Sequence, residues 1–193
     1  MKRRPLTIPL LSYFFLLISV LSACEADNMY SSAYCNFVFL TKLYPSCALT
    51  RAVGSGGGDF CIVKAEVQHG VTHLKLTPNR GTYAATDLDL TMSTAITSER
   101  ISYASMGRQQ GLIIGRSVYG QLRAYDLICP NCDFSQELRW GGQATELVCD
   151  KCQRVYNIDG EYGYVKSGDK GRALEQYKNV YYTELDGRLV VRN

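Results

Sequence analysis

QLRAYDLICPNCDFSQELRWGGQATELVCDKCQRVYN, residues Gln121 to Asn157, carries two C-x2-C pairs separated by 16 residues, each set among strand-forming residues. A C-x2-C turn brings two sulfurs to one side of a tight loop, where following backbone N–H groups can point at them. Two such turns at facing hairpin tips build a cage of four thiolates, the donor set of structural zinc or rubredoxin-type iron. The spacing lies within the range read as a zinc site. Cys129, Cys132, Cys149 and Cys152 are therefore the candidate metal ligands. Pro130 and the polar residues inside the turns suit exposed loops. An oxidising compartment would also permit disulfides, but a bond inside a C-x2-C turn is strained, so such bonds would have to run between the turns. A thioredoxin-like pair should open a helix within a βαβ unit, and these pairs sit among strands.

The rest of the chain has the same character. NFVFL (Asn36 to Leu40), CIVKAEV (Cys61 to Val67), VTHLKL (Val71 to Leu76), GLIIG (Gly111 to Gly115) and QLRAYDLI (Gln121 to Ile128) are β-branched and aromatic runs bounded by Gly, Asn and Asp. Helical periodicity is hard to find, so the expectation is an all-β sandwich or barrel. Asp159-Gly160 in VYNIDGEYGYV and Asp186-Gly187 in VYYTELDGRLVVR occupy the turn positions of two hairpins, because Asp-Gly favours the type I′ turn. The second hairpin ends the chain, which predicts a C-terminus pinned into a sheet.

The amino terminus, MKRRPLTIPLLSYFFLLISVLSAC, has a basic start, an apolar run and small residues before Cys24, the organisation of a signal peptide. Leu21-Ser22-Ala23-Cys24 resembles a bacterial lipobox, which implies that Cys24 is the first mature residue and carries diacylglycerol and an N-acyl chain such as palmitate. The expected organisation is a lipoprotein signal over 1–23, the lipidated cysteine and a tether over 24–35, and one domain over 36–193 with its metal-binding subregion at about 126–160. The expected location is the cell envelope of a Gram-negative bacterium, lipid-anchored on the periplasmic or surface face of the outer membrane. The expected partners are the membrane, through the lipid, and an envelope or redox protein. The chain has 21 basic and 18 acidic side chains, and removing the signal with its three basic residues leaves 18 of each. A near-neutral chain without a basic block lacks the electrostatic footprint of a nucleic-acid binder.

Three stretches, GLIIGRSVYGQLRAYDLICPNC, LVCDKCQRVYNIDG and GRALEQYKNVYYTELDGRLVV, together resemble the Rieske [2Fe–2S] domain over about Gly111 to Val191. The resemblance implies a Rieske-like sandwich or barrel of antiparallel strands bearing a rubredoxin or zinc-ribbon-like four-cysteine subdomain. It departs from the family at the ligands. Cys129 and Cys149 match the family's cysteines, but Asn131 stands where its first histidine belongs and Cys152 where its second does. Cys132 supplies a fourth soft ligand. Histidine ligation is what raises Rieske potentials, so an all-thiolate site does not imply Rieske redox chemistry. The expectation is structural Zn²⁺ in a non-catalytic binding or scaffold module. The alternative is an electron carrier of Rieske ferredoxin type holding a [2Fe–2S] cluster or a single iron.

Other candidates are weaker. Cys35, Cys47 and Cys61 remain outside the cage, allowing at most one disulfide among them, and burial as small apolar residues is an equal reading. His69 and His73 are the only histidines; their spacing would suit a metal on a helix, but HGVTHLKL reads as strand or turn. GSGGGD (Gly54 to Asp59) lacks the Lys and Ser/Thr of a phosphate loop and reads as a hairpin loop. No Ser/His/Asp set can be assembled, so no enzymatic activity is expected.

Overall fold

The structure, a computed structural model, describes residues 29–54, 56–92, 103, 105–159 and 163–193. The expected signal segment and Cys24 lie outside these residues. Twelve strands among them form three antiparallel sheets, and no barrel closes. The central sheet has the order β4-β3-β2-β5-β6, built from β2 (Phe60–Gln68), β3 (Val71–Pro78), β4 (Asp89–Met92), β5 (Gly111–Arg116) and β6 (Leu122–Asp126). A three-stranded sheet, β1-β12-β11, joins β1 (Asn36–Leu40) to the terminal hairpin of β11 (Asn179–Thr183) and β12 (Arg188–Arg192). A four-stranded sheet, β10-β9-β8-β7, is made of β7 (Leu138–Trp140), β8 (Glu146–Cys149), β9 (Val155–Asn157) and β10 (Val165–Ser167).

Period-two alternation explains how these sheets stack, because successive residues of a strand face opposite sides. On β2, Cys61 and Val63 enter a core shared with Phe37, Phe39, Leu189 and Val191 of the three-stranded sheet. Their neighbours Phe60 and Ile62 enter a second core with Leu138, Leu147 and Tyr156 of the four-stranded sheet. β5 is covered on both faces: Leu112 and Ile114 serve the first core, Ile113 the second. That is why GLIIG is an unbroken apolar run, as a strand buried on both faces requires.

The hairpin between β2 and β3 turns through His69 and Gly70, both at positive φ (51° and 80°), the two-residue geometry that matches strand twist. Asp186 and Gly187 fall in the β11–β12 connection, and the chain end is held as expected. Val190 and Val191 are buried, and the Asn193 side chain accepts from the Cys35 N–H at 2.9 Å. Residues ahead of β1 are docked too: the Ser31 and Gln176 N–H groups donate to Gln176 O (2.9 Å) and Met29 O (2.8 Å).

One α-helix among the described residues, α1 (Ala48–Gly54), packs Ala48, Leu49, Ala52 and Val53 into the first core. It makes only about two turns, too few for periodicity to stand out in the sequence. Gly54 ends this helix, so the glycine-rich stretch after it connects a helix to β2 and is not the expected hairpin loop. No helix among the described residues is long and apolar enough to cross a membrane.

Candidate metal centre

Both C-x2-C turns sit where the sequence reading places them, at hairpin tips. The first closes the extension of β6 against the approach to β7, with Cys129 N–H donating to Gln136 O (2.8 Å) and Leu138 N–H to Leu127 O (2.9 Å). The second closes β8 against β9, with Cys149 N–H donating to Arg154 O (3.1 Å) and Gln153 N–H to Cys149 O (2.8 Å). Each turn leaves its second cysteine through left-handed backbone, at Asp133 and Phe134 after the first (φ 50° and 54°) and Gln153 after the second (φ 57°). This reversal is what curls the chain around its own sulfurs.

The two turns face one another. All four Sγ atoms lie within 4.8 Å of each other, and they are the one group of this kind among the described residues. Across the turns, Cys129 Sγ lies 3.8 Å from Cys152 Sγ and Cys132 Sγ 3.6 Å from Cys149 Sγ. A disulfide would bring sulfurs to about 2.05 Å, so these are four free thiols. An ion with metal–sulfur bonds of about 2.3 Å places tetrahedral sulfurs about 3.8 Å apart, which the cross-turn distances match. Cys129, Cys132 and Cys149 are buried and Cys152 is partly exposed.

Without a cation, burial opposes ionisation of Cys129 and Cys132. Burial pushes the Cys129 thiol up to about 11, and burial together with the neighbouring sulfurs raises Cys132 further. Burial acts on Cys152 in the same direction, but hydrogen bonds from the Arg154 guanidinium and backbone N–H outweigh it. With Cys132 and Cys149 they bring Cys152 down to about 6. The Asn131 backbone, two residues past Cys129 as Arg154 is past Cys152, opposes the rise at Cys129 in the same way. A divalent cation compensates the cost of burying the Cys129 and Cys132 thiolates, so metal uptake here is coupled to proton release.

Several residues around the sulfurs carried no local signal in the sequence. The Tyr156 hydroxyl, on a fully buried β9 side chain, lies 3.2 Å from Cys129 Sγ. Asn131, where the resembled family has a ligand, turns its amide away from the cage onto Tyr156 and the loop around Arg172. That loop is held at a second point by Arg154, whose guanidinium donates to Asp169 O (3.0 Å) and Lys170 O (3.2 Å). Only glycine permits so close a pass: a Cβ on Gly171 would stand 2.5 Å from Asn131 Oδ1 and 3.0 Å from Arg154 Nε. Phe134 carries the Arg108 guanidinium on its ring at 3.8 Å, with Arg172 at 5.1 Å.

Below the first turn, Asp126 anchors its approach. The buried carboxylate accepts from Ile128 N–H (3.0 Å), Arg108 N–H (3.0 Å) and the Tyr177 hydroxyl (2.7 Å). Burial raises its pKa even so, with the three donors pulling the other way. The histidines stand apart from the cage: His69 is in the β2–β3 turn and His73 Nδ1 lies 2.8 Å from Asp89 Oδ1. Cys35, Cys47 and Cys61 are buried and free, which leaves the apolar reading of them.

What the fold and the site together define is a class: an antiparallel β protein with a four-cysteine group able to hold a metal ion such as zinc or iron. No protein-family model, no curated protein and no solved structure matches the chain.

Proposed function

We propose that this chain is an exported, lipid-anchored envelope protein whose Rieske-like domain binds one structural zinc ion through Cys129, Cys132, Cys149 and Cys152. Its role is non-catalytic, a binding or scaffold module held at the membrane by the lipid on Cys24. The observation that carries the metal reading is the size of the cage, with all four Sγ atoms within 4.8 Å. A two-iron cluster places two thiolates on each iron, and the iron–sulfide rhomb between them would hold the pairs farther apart than this. The fully cysteine-lined site is closed, with no position left for substrate, as in structural zinc sites. The anchor rests on the basic start, the apolar run and the Leu-Ser-Ala-Cys box of the first 24 residues.

A single iron would fit the same cage, and colour separates the two. Elemental mass spectrometry and an absorption spectrum on protein purified without added metal should find about one zinc per chain and no visible bands. Iron with charge-transfer bands would replace the scaffold reading with electron transfer. Lipidation is tested by the mass of the mature N-terminal peptide, and an unmodified or uncleaved Cys24 would refute it.

A further inference from the structure

The side chain of Asn131 makes three hydrogen bonds. Its Oδ1 accepts the Arg172 N–H at 2.9 Å, while its Nδ2 donates to Arg172 O at 2.8 Å and to the Tyr156 hydroxyl oxygen at 2.9 Å. The first bond fixes the amide, because a flipped Asn131 would set its NH2 against the Arg172 N–H, donor against donor. The amide so fixed can only donate to Tyr156. A phenol has a single proton, and the other partner of this hydroxyl is Cys129 Sγ at 3.2 Å. The Tyr156 proton therefore points at the sulfur.

We infer that Asn131 is a positioning residue that links the Arg172 loop to the metal centre: it holds the Tyr156 hydroxyl as a donor to the Cys129 thiolate, and so sets the electron density that this ligand gives the metal. The inference rests on the four-thiolate metal reading. Donation into the Tyr156 oxygen polarises its O–H bond and strengthens the next hydrogen bond in the chain. Outer partners of this kind typically change metal affinity about 10–100-fold when removed. The backbone of Arg172 is the outer end of the relay, so displacing the loop over Gly171 and Arg172 would free Asn131 and raise the charge on Cys129. A surface contact at the loop is thereby coupled to the ligand field without any change of ligand.

The test titrates Co²⁺ into the full chain, where sulfur-to-cobalt charge-transfer bands report thiolate donation. Asn131→Asp keeps the acceptor for the Arg172 N–H but offers Tyr156 a carboxylate, which competes with Cys129 for the phenol proton. Tyr156→Phe removes that proton. Both variants should weaken Co²⁺ binding by about 10–100-fold and move the charge-transfer band to lower energy, and the double variant should be no worse than Tyr156→Phe alone. Asn131→Ala gives a second route if the aspartate impairs folding, with a band shift in the same direction. A lowered melting temperature with an unmoved band would reduce Asn131 to a loop clasp and overturn the inference, as would additive effects in the double variant. A parent chain that takes up no cobalt overturns the metal reading itself, and this inference with it.

Discussion

Replacing Cys149 by serine removes a fully buried cysteine of the cage, whose N–H and C=O groups are both tied within the second turn. The strands that depend on it are short: β7, β9 and β10 have three residues each and β8 has four. Structural zinc supplies about 10 kcal/mol or more in small domains, as much as a typical domain's whole stability of about 5–15 kcal/mol. Serine keeps the size of the side chain but not a thiolate, and breaking a buried charged arrangement by removing one partner costs about 3–5 kcal/mol. At about 2–4 °C per kcal/mol for a domain of this length, the melting temperature should fall by roughly 6–20 °C. The loss should also be local. Amide exchange should rise at Cys149 and Gln153, whose N–H groups bond within the turn, and stay slow at Ile113 and Tyr125, in the central sheet. The informative comparison is with a chelator: it should lower the melting temperature of the parent and leave that of the variant nearly unchanged. A variant that melts with the parent, or that loses as much to chelator as the parent does, would refute the reasoning.

Two further substitutions probe the scaffold. Asp126→Ala strands the Ile128 N–H, the Arg108 N–H and the Tyr177 hydroxyl, and at about 1–3 kcal/mol for each donor left buried and unpaired the urea-derived stability should drop by at least about 3 kcal/mol; a change below about 1 kcal/mol would mean that water replaces the carboxylate. Asp89, on β4, is held below the usual carboxylate range by hydrogen bonds from Lys75 and His73. In the interval between that lowered value and the ordinary one the unfolded chain holds more protons, so the stabilisation is present above about pH 4 and is lost as pH falls through the folded value. The Asp89 side chain is 37% exposed, so screening limits the contribution to at most about 1 kcal/mol. Asp89→Asn should cost that much at pH 7 and progressively less as pH falls below about 4 in denaturant melts, and a cost that does not shrink with falling pH would assign the effect to packing.

Local spacing and alternation were legible in the sequence because each is a property of a few adjacent residues. The C-x2-C pairs identified the four cysteines and their place at hairpin tips. NFVFL matches β1 residue for residue, and Asp186-Gly187 marks a hairpin turn that the structure contains. α1 was missed because about two turns of apolar spacing look like part of a strand-rich background. GSGGGD was assigned to the wrong kind of connection for the same reason, since the helix before it had not been seen.

The four-cysteine group and the antiparallel β class were thus determined by the sequence alone, since tight turns and period-two strands are specified by neighbours in the chain. Only the tertiary structure decided which sulfurs approach across the turns, which face of β2 each outer sheet covers, and what surrounds the cage. Asn131 reaches Arg172 across 41 residues and Tyr177 reaches Asp126 across 51. Such partners are chosen by how the sheets pack, and no local pattern of residues encodes that choice.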